Sequence, residues 1–273
     1  MEFTAVSWNL FHGRDFPPDP ALFTWRSRLL GREERNATHV QVNRDLLAEF
    51  ARVLADAEWD VALLQECPPR FAVPLAAACG AEAHAVLTSR NLFGSLRGFV
   101  ARRNPDLIAS GEGGSNLTLV RGRIVERRET TIHAGAPERR AMAFTRVEFT
   151  AGEQLCVANL HATNDRPDLA TVDVLRAAEA AVAWAGRAPL LFGGDLNLRP
   201  GPNGQAFSQL NSRFGLGGGT APDAIDHLLA RGLAIVEPAT AWPVERRELP
   251  LAGLRLRISD HSPVQASFKT GSG

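Results

Sequence analysis

The sequence lacks tyrosine altogether and contains one lysine, Lys269, and three cysteines among its 273 residues. The cysteines, Cys67, Cys79 and Cys156, are scattered and form no CxxC pair, which excludes a disulfide framework and a cysteine-based zinc site. They fit a reducing compartment, and no signal peptide is visible, so we expect a cytoplasmic protein, with a removed leader as the open alternative.

An excess of charge of one sign is also lacking, because 30 basic residues balance 30 acidic ones. Proteins that coat nucleic acid are usually basic, so this balance argues against DNA packaging, whereas a nuclease needs only a local basic rim. No run of about 18 apolar residues occurs, which excludes a membrane-spanning helix. Hydrophobic residues make up 45% and charged residues 22% of the chain. These values are typical of a globular protein, and the length predicts a single domain over 1–270 and, in our expectation, a monomer.

Apolar periodicity predicts helices near both ends of the chain and a β-rich middle. Helical spacing occurs over 43–57, with Asn43 as the N-cap, and over 167–186. Continuous apolar runs predict buried strands at 3–8, 60–66 and 189–192. Further short β-like runs, separated by turn residues, predict strands at 83–88, 98–102, 115–120, 123–132, 142–149, 154–160, 225–229 and 262–268.

Three segments carry no regular pattern. Residues 12–38 are rich in proline and arginine, and we predict an ordered insertion or lid that could line a cleft and contact an anionic substrate. An ordinary solvated surface explains these arginines equally well. The glycine-rich segments 111–114 and 215–219 match no phosphate-binding loop followed by lysine, so we predict flexible loops there. No G-x-S-x-G nucleophile motif occurs.

Polar side chains follow the predicted strands at the points where strands end. These motifs are Trp8-Asn9, Gln65-Glu66, Asn159-Leu-His161, Asp195-Leu-Asn197, Ile225-Asp226 and Ser259-Asp260-His261. Alone, most of them have an ordinary explanation, such as a turn residue, a solvated loop acid or a core histidine. Asp226 is harder to explain, because a carboxylate inside an apolar run needs a partner. Since ligands bind where strand ends converge, the set predicts one functional site.

In this order the motifs resemble those of the endonuclease/exonuclease/phosphatase superfamily, which includes pancreatic-type deoxyribonuclease, abasic-site endonucleases, inositol-polyphosphate phosphatases and neutral sphingomyelinases. The matching residues are Trp8-Asn9, Gln65-Glu66, Arg140, Asn159-Leu-His161, Gly194-Asp195-Leu-Asn197, Ile225-Asp226-His227 and Ser259-Asp260-His261. The resemblance covers essentially the whole chain. It implies an α/β (α+β) fold, a four-layer α/β/β/α sandwich of two mixed β-sheets flanked by helices.

The resemblance also implies a metal-dependent hydrolase of phosphate esters, a phosphodiesterase or nuclease in which water attacks in line. Hard oxygen ligands without cysteine suit Mg²⁺ or Mn²⁺. The implied metal ligands are Asn9, Glu66 and Asp260. The implied catalytic residues are His261, Asp226, Asp195, Asn197 and His161, and the implied phosphate-binding residues are Arg140, Asn164 and His161. The number of metal ions stays open at this point.

Two features depart from the nuclease members of that superfamily. Many of them place a tyrosine at the phosphate, and abasic-site endonucleases carry a lysine soon after the QE pair, where this chain has Cys67-Pro-Pro. We therefore do not expect abasic-site repair. The substrate is a phosphate ester, either DNA or RNA or a small-molecule or phospholipid ester, since the sequence shows neither a stacking-aromatic stripe nor a membrane-inserting hairpin. A non-enzymatic binding module on the same fold is less favoured, because the acidic residues and the terminal histidine are all present.

Overall fold

The structure, a computed structural model, describes residues 1–88, 94–108, 113–133, 139–149 and 152–271. Its helices are α1 (Trp25–Leu30), α2 (Leu47–Ala55), α3 (Ala72–Cys79), α4 (Gly94–Arg103), α5 (Pro105–Ile108), α6 (Pro167–Ala185) and α7 (Gly204–Phe214). Its strands are β1 (Glu2–Asn9), β2 (Glu34–Arg35), β3 (Val40–Gln41), β4 (Val61–Cys67), β5 (Glu82–Leu87), β6 (Ser115–Val120), β7 (Arg123–His133), β8 (Arg140–Glu148), β9 (Gln154–His161), β10 (Leu190–Asp195), β11 (Asp226–Arg231), β12 (Leu233–Ala241), β13 (Glu248–Leu251), β14 (Leu254–Arg257) and β15 (Val264–Thr270).

Two mixed sheets form the centre of the molecule. Sheet I has the strand order β12-β15-β1-β4-β6-β5, and sheet II has the order β11-β10-β9-β8-β7. Each contains one parallel pair, β1 with β4 and β9 with β10, and the other neighbours are antiparallel. The carboxyl ends of each parallel pair therefore lie at one edge of its sheet.

Three apolar layers hold four layers of secondary structure together. The layer between the sheets contains Phe3, Ala5, Leu63 and Val157 among others. A second layer joins sheet I to α2 and α3, and a third joins sheet II to α6 and α7. Alternating side chains along each strand supply two of these layers at once, as period-two geometry requires. The predicted four-layer α/β/β/α sandwich is thus confirmed.

Strand β1 shows how the alternation works. Phe3 and Ala5 face the other sheet, whereas Val6 and Trp8 pack toward the helices, and all four are buried. Asn9, at the end of the strand, has the parity of Phe3 and Ala5. Its side chain therefore lies between the two sheets at their edge, and the sequence pattern alone is sufficient to place it there.

Two local predictions are wrong. Residues 98–102 belong to helix α4 and not to a strand. The β-favouring pair Phe99-Val100 is a weak local preference that tertiary contacts override. Asn43 does not cap a helix, because α2 begins only at Leu47. The Asn43 amide instead donates to the Asn104 side chain (2.6 Å) and to the Ser27 carbonyl (2.8 Å).

Several elements had no counterpart in the sequence prediction, namely α3, α7 and strands β12 to β14. The predicted helix at 167–186 is confirmed as α6. Residues 12–38 contain most of one 3₁₀ turn, a second 3₁₀ turn, α1 and β2. They are tied to the C-terminal part of the chain by the bridge of Asp15 with Ile258 and by the Arg255 backbone N–H, which donates to the Thr38 carbonyl (3.0 Å). The predicted loop at 111–114 lies partly outside the described residues.

Candidate active site

The strand ends of the two sheets bring the predicted site residues together. Asn9 ends β1, His161 ends β9 and Asp195 ends β10, while antiparallel β11 begins at Asp226 directly opposite Asp195 in the ladder. By alternation these side chains face the space between the sheets, like the apolar residues earlier in the same strands. The convergence predicted from the sequence is therefore present in the structure.

Glu66 reaches the site through a local break in the strand. Strict alternation would direct Glu66 toward the helices, on the face that Leu64 occupies. Glu66 instead has φ +46°, and the β4–β6 register shifts between Leu64 and Cys67. Cys67 takes the helix-facing position, and Glu66 contacts the site histidines. A left-handed conformation at a non-glycine residue costs free energy and is typical of functional sites.

A histidine–aspartate pair forms the middle of the site. The His261 Nδ1 atom lies 2.7 Å from the Asp226 Oδ2 atom, and its Nε2 atom lies 3.9 Å from the Asp195 Oδ2 atom. Burial alone would lower the pKa of His261, but Asp226 and then Asp195 raise it to about 10. The imidazole is therefore protonated at neutral pH and carries a positive charge between the carboxylates.

Asp195 is buried and held by two donors. The Asn9 amide donates to its Oδ2 atom (3.0 Å), and the Asn197 backbone N–H donates to its Oδ1 atom (3.1 Å). Burial and the neighbouring Asp226 raise the pKa of Asp195 above its usual range, against the opposing effect of His261. Asn197, with φ +50°, donates its side-chain amide to the Ala162 carbonyl (3.2 Å).

Glu66 lies between two histidines. Its Oε2 atom is 3.1 Å from the His12 Nε2 atom, and its Oε1 atom is 3.9 Å from the His161 Nε2 atom. Burial alone would raise the pKa of Glu66, but His12 and His161 lower it below its usual value. Burial lowers the pKa of His161 to about 3, so His161 is neutral. An ionised carboxylate beside neutral imidazoles suits the binding of a cation.

The donor set fits a hard divalent cation. The Oδ1 atoms of Asp226 and Asp260 are buried, and neither has a hydrogen-bond partner among the described residues. Burial raises the pKa of Asp260, and the negative charge of Glu66 raises it further. These two carboxyl groups therefore lie close enough to interact. The charged His261 Nε2 atom lies 3.9 Å from the Asp260 Oδ1 atom, beyond hydrogen-bond distance. Buried carboxylate oxygens without a hydrogen-bond partner are stabilised by a proton or a cation. The carboxylates and the Asn9 amide offer oxygen donors, as Mg²⁺ and Mn²⁺ prefer.

Ligand atoms of Asp195, Asp226 and His261 all lie within 4.8 Å of one another. We interpret this cluster as a hydrogen-bonded network and not as a metal-ligand set, because the Nδ1 atom of His261 is already bound to Asp226.

The loop that carries His261 is held by hydrogen bonds from two other elements. The Trp8 indole donates to the His261 carbonyl (3.0 Å), and the Ser259 hydroxyl donates to the Asn9 carbonyl (2.6 Å).

Arg140 and Asn164 lie beside this cluster. Arg140, at the start of β8, donates from Nη2 to the Asn164 side chain (3.4 Å). Its charge also contributes to the low pKa of His161, so it lies on the His161 side of the site. Asn164 is exposed. Asn164 can therefore meet an anion that enters from solvent, and Arg140, which is buried behind the surface, adds a positive charge beside it.

His12 is a site residue that the sequence analysis missed. We had included it in the insertion over 12–38, yet its imidazole contacts Glu66 and is mostly buried. Phe11 (φ +49°) and His12 (φ +53°) are both left-handed, and the turn closes at Gly13. A side chain added at Gly13 would overlap Phe71. The available signal was a histidine followed by glycine, three residues after Asn9.

A family model described as "Endonuclease/Exonuclease/phosphatase family" matches residues 6–261. No curated protein matches the sequence significantly. No helix in the described part of the chain is long and apolar enough to cross a membrane.

Solved structures show the same fold at low sequence identity. An endonuclease/exonuclease/phosphatase family protein from Bacteroides thetaiotaomicron has a TM-score of 0.67 and 14% identity, over 100% of this chain and 99% of that one. A mannosyl-6-phosphatase from the same organism has a TM-score of 0.66 and 14% identity, over 97% and 99%. The human Nocturnin catalytic domain with bound sulfate has a TM-score of 0.63 and 15% identity, over 99% and 95%.

Proposed function

Because the chain belongs to the endonuclease/exonuclease/phosphatase family, we propose that it is a metal-dependent hydrolase of phosphate esters, first of all a phosphodiesterase or nuclease. The observation that carries this proposal is the convergence of Asp195, Asp226 and His261 with Asn9 and Glu66 at one end of the two sheets. A binding module would have no need for buried carboxylates around a charged histidine.

In this proposal Asn9, Glu66 and Asp260 hold the metal ion. Glu66 is ionised, and the Asp260 Oδ1 atom has no hydrogen-bond partner in the described part of the chain. When bound, Mg²⁺ or Mn²⁺ polarises a phosphoryl oxygen and offsets the negative charge of the transition state. The remaining steps depend on side chains of the protein itself.

We assign Asp195 as the group that accepts a proton from the attacking water. Its carboxylate is oriented by Asn9 and by the Asn197 backbone, and its raised pKa makes it a better proton acceptor than an ordinary aspartate. His261 is protonated and points its Nε2 atom toward Asp195. It therefore serves as a charged hydrogen-bond donor to the phosphoryl group, with its ring oriented by Asp226.

We assign phosphate binding to Arg140, Asn164 and His161. Arg140 supplies a permanent positive charge, and Asn164 is exposed beside it. His161 is neutral, and its Nε2 atom lies 3.5 Å from the Asp195 Oδ2 atom. A neutral imidazole can donate one hydrogen bond without competing with the metal for the carboxylates. Asn197 completes the set as the residue that positions Asp195.

The first test is nicking of supercoiled plasmid in Mg²⁺ and in Mn²⁺, with a chelator as control. We expect metal-dependent nicking that Asp195→Ala and His261→Ala lose by at least about a hundredfold. Asp223→Ala is the matched control, because this exposed acid lies three residues before Asp226 and, among the described residues, its side chain forms no hydrogen bond or salt bridge with the cluster. Wild-type rates in either site variant would contradict the mechanism.

The second candidate is a phosphatase or phosphodiesterase of small-molecule or phospholipid substrates. A mannosyl-6-phosphatase is among the structures that share this fold. If plasmid is not nicked, the same proteins are assayed with sugar phosphates, p-nitrophenyl phosphate and its bis-ester. Metal-dependent release of phosphate or alcohol would keep the hydrolase proposal and change the substrate. No turnover of any of these esters in either metal would overturn it.

A further inference from the structure

The exposed apolar side chains of this protein are concentrated on one surface. Among the described residues, eight large apolar side chains are exposed on the segment before β2 and on α4 and α5. They are Phe16, Phe23, Trp25, Leu29, Leu30, Leu96, Phe99 and Leu107. Trp25 is 63% exposed and Leu96 is 64% exposed. We refer to these eight residues as the apolar surface. Contiguous exposed apolar patches mark interaction sites in soluble proteins.

The two halves of the apolar surface are joined by hydrogen bonds. The Asn43 amide connects the Ser27 carbonyl of α1 with the Asn104 side chain that follows α4. The Asn104 amide in turn donates to the Arg28 carbonyl (3.0 Å). Helix α1 therefore lies beside helices α4 and α5, and the three helices share one face.

Positive charge surrounds the apolar surface. Five exposed arginines on the same elements have no salt-bridge partner among the residues that the structure describes: Arg26, Arg28, Arg32, Arg102 and Arg103. The acidic residues of this region are occupied. Glu33 pairs with Arg35, Asp106 lies 3.7 Å from Arg14, and Glu34 accepts the Thr24 hydroxyl. Although the whole chain is neutral, this face offers arginines that no carboxylate in the described part of the chain pairs with, and two of them, Arg26 and Arg103, lie over the rings of Trp25 and Phe99.

The apolar surface adjoins the candidate active site. A row of ring contacts runs from Phe11 to Phe16 (5.5 Å between centroids) and on to Phe23 (5.7 Å). The Phe11 backbone N–H donates to the Asn9 side chain (2.9 Å), so the row begins at a candidate metal ligand. A partner that covers this surface would also lie beside the mouth of the site.

We propose that this surface binds an anionic phospholipid bilayer, with Trp25, Leu29 and Leu30 inserted among the lipids and the arginines on the headgroups. Tryptophan, leucine and arginine in this arrangement are typical of interfacial segments. Single-stranded nucleic acid fits less well. The leucines have no role in base stacking, and arginines already lie over the rings of Trp25 and Phe99. The proposal does not depend on the catalytic proposal.

The test is flotation with vesicles of phosphatidylcholine, with and without about one third phosphatidylglycerol. We expect binding only to the anionic vesicles, with a blue shift of tryptophan fluorescence, because the other tryptophans are buried or half-buried. The variant Trp25→Ser/Leu29→Ser/Leu30→Ser should reduce the bound fraction about tenfold. Val73→Ser is the matched control, since Val73 is 78% exposed on α3, outside the surface.

A second pair of variants tests the charges. Arg26→Glu/Arg32→Glu should weaken binding and reduce its salt dependence, whereas Arg187→Glu, which changes an exposed arginine after α6, should do neither. Far-ultraviolet circular dichroism checks that each variant is folded. Equal binding to neutral vesicles, no binding to either, or loss in the Val73 control would overturn the proposal. The proposal would also be overturned if the protein bound a single-stranded oligonucleotide tightly, lost that binding in the serine variant, and did not bind vesicles.

Discussion

At the scale of single residues, the candidate site depends on side chains whose protonation differs from that in water. His261 is protonated because Asp226 contacts it directly, and His161 is neutral because it is buried. Two histidines that lie beside the same Asp195 Oδ2 atom thus carry different charges. The surroundings of each ring, and not the residue type, therefore give the two histidines different roles. His261 is a charged hydrogen-bond donor, and His161 is a neutral one.

The His261–Asp226 pair predicts a measurable change of pKa. In Asp226→Asn the carboxylate that contacts the imidazolium is gone and only Asp195 and Asp260 still oppose the effect of burial, so the pKa of His261 should fall from about 10. In chelated protein, the His261 ring should therefore lose its proton at a lower pH in the variant than in the wild type. Ring ¹⁵N shifts followed against pH, assigned with His261→Gln, report this directly. The same titration in both proteins would contradict the assignment.

His12 predicts an effect on metal binding that does not require turnover. Because the His12 Nε2 atom lies 3.1 Å from the Glu66 Oε2 atom, His12 orients the carboxylate of a candidate metal ligand. We expect His12→Ala to weaken Mn²⁺ binding about tenfold to a hundredfold, as loss of such a partner does in other metal sites. Titration calorimetry measures this affinity.

The matched control for His12 is His39→Ala. His39 lies at the same 3.1 Å distance from a glutamate, Glu248, which belongs to the β13–β14 hairpin and not to the candidate site residues. Mn²⁺ affinity should be unchanged in this variant. A His12→Ala protein that binds Mn²⁺ like the wild type would restrict His12 to a purely structural role.

At the scale of elements, the turn at the end of β10 fixes the position of Asp195. Gly194 has φ +126°, a conformation that side chains rarely adopt, and a Cβ atom there would overlap the Leu160 carbonyl oxygen of neighbouring β9. The close approach of β9 and β10 at this point is what brings His161 and Asp195 into contact. A glycine before the aspartate is therefore a requirement of the strand pairing.

Gly194→Ala should lower the free energy of unfolding by about 2–4 kcal/mol, because backbone and not a flexible side chain blocks the added methyl group. Urea unfolding followed by circular dichroism measures this change. Gly204→Ala is the control, since nothing lies within 4 Å of a Cβ atom at the start of α7. That substitution should be neutral or slightly stabilising. Equal stability of the two variants would contradict the packing argument.

At the scale of the whole molecule, the two sheets are held together by an apolar layer and by several buried polar bridges, such as Gln65 to the Asn159 side chain and Asn116 to the Ala141 carbonyl. One such bridge is His84 on β5, whose Nδ1 atom lies 2.9 Å from the Thr145 hydroxyl on β8. Burial, assisted by Arg127, lowers the pKa of His84 to about 4. The histidine is therefore neutral in the folded protein throughout the ordinary pH range.

This bridge predicts how stability depends on pH. In the unfolded chain His84 takes up a proton near pH 6.5, but in the folded protein only near pH 4. Between these values the unfolded state binds more protons, so the free energy of unfolding falls as the pH is lowered. In His84→Gln this contribution is absent, and the decline over that window should be shallower. Urea midpoints at several pH values measure it, and identical slopes would refute the prediction.

The order of the site motifs and the parity that places Asn9, His161 and Asp195 between the sheets were determined by the sequence itself. This order and parity depend on period-two alternation and on polar residues at strand ends, which are local properties. The helix α6 was predictable for the same reason, because its apolar residues recur at helical spacing over nineteen positions. The four-layer fold was implied by the resemblance of the motifs to a known family.

Only the tertiary structure decided the rest. Glu66 turns into the site against the alternation, because its left-handed φ and the register shift in β4 depend on pairing with β6. His12 becomes a partner of Glu66, and Asn43 a link between α1 and α4, through contacts distant in sequence. Such contacts leave no periodic trace in the chain. The apolar surface, too, appears only when folding places α1 beside α5, since exposure is a property of the assembled layers.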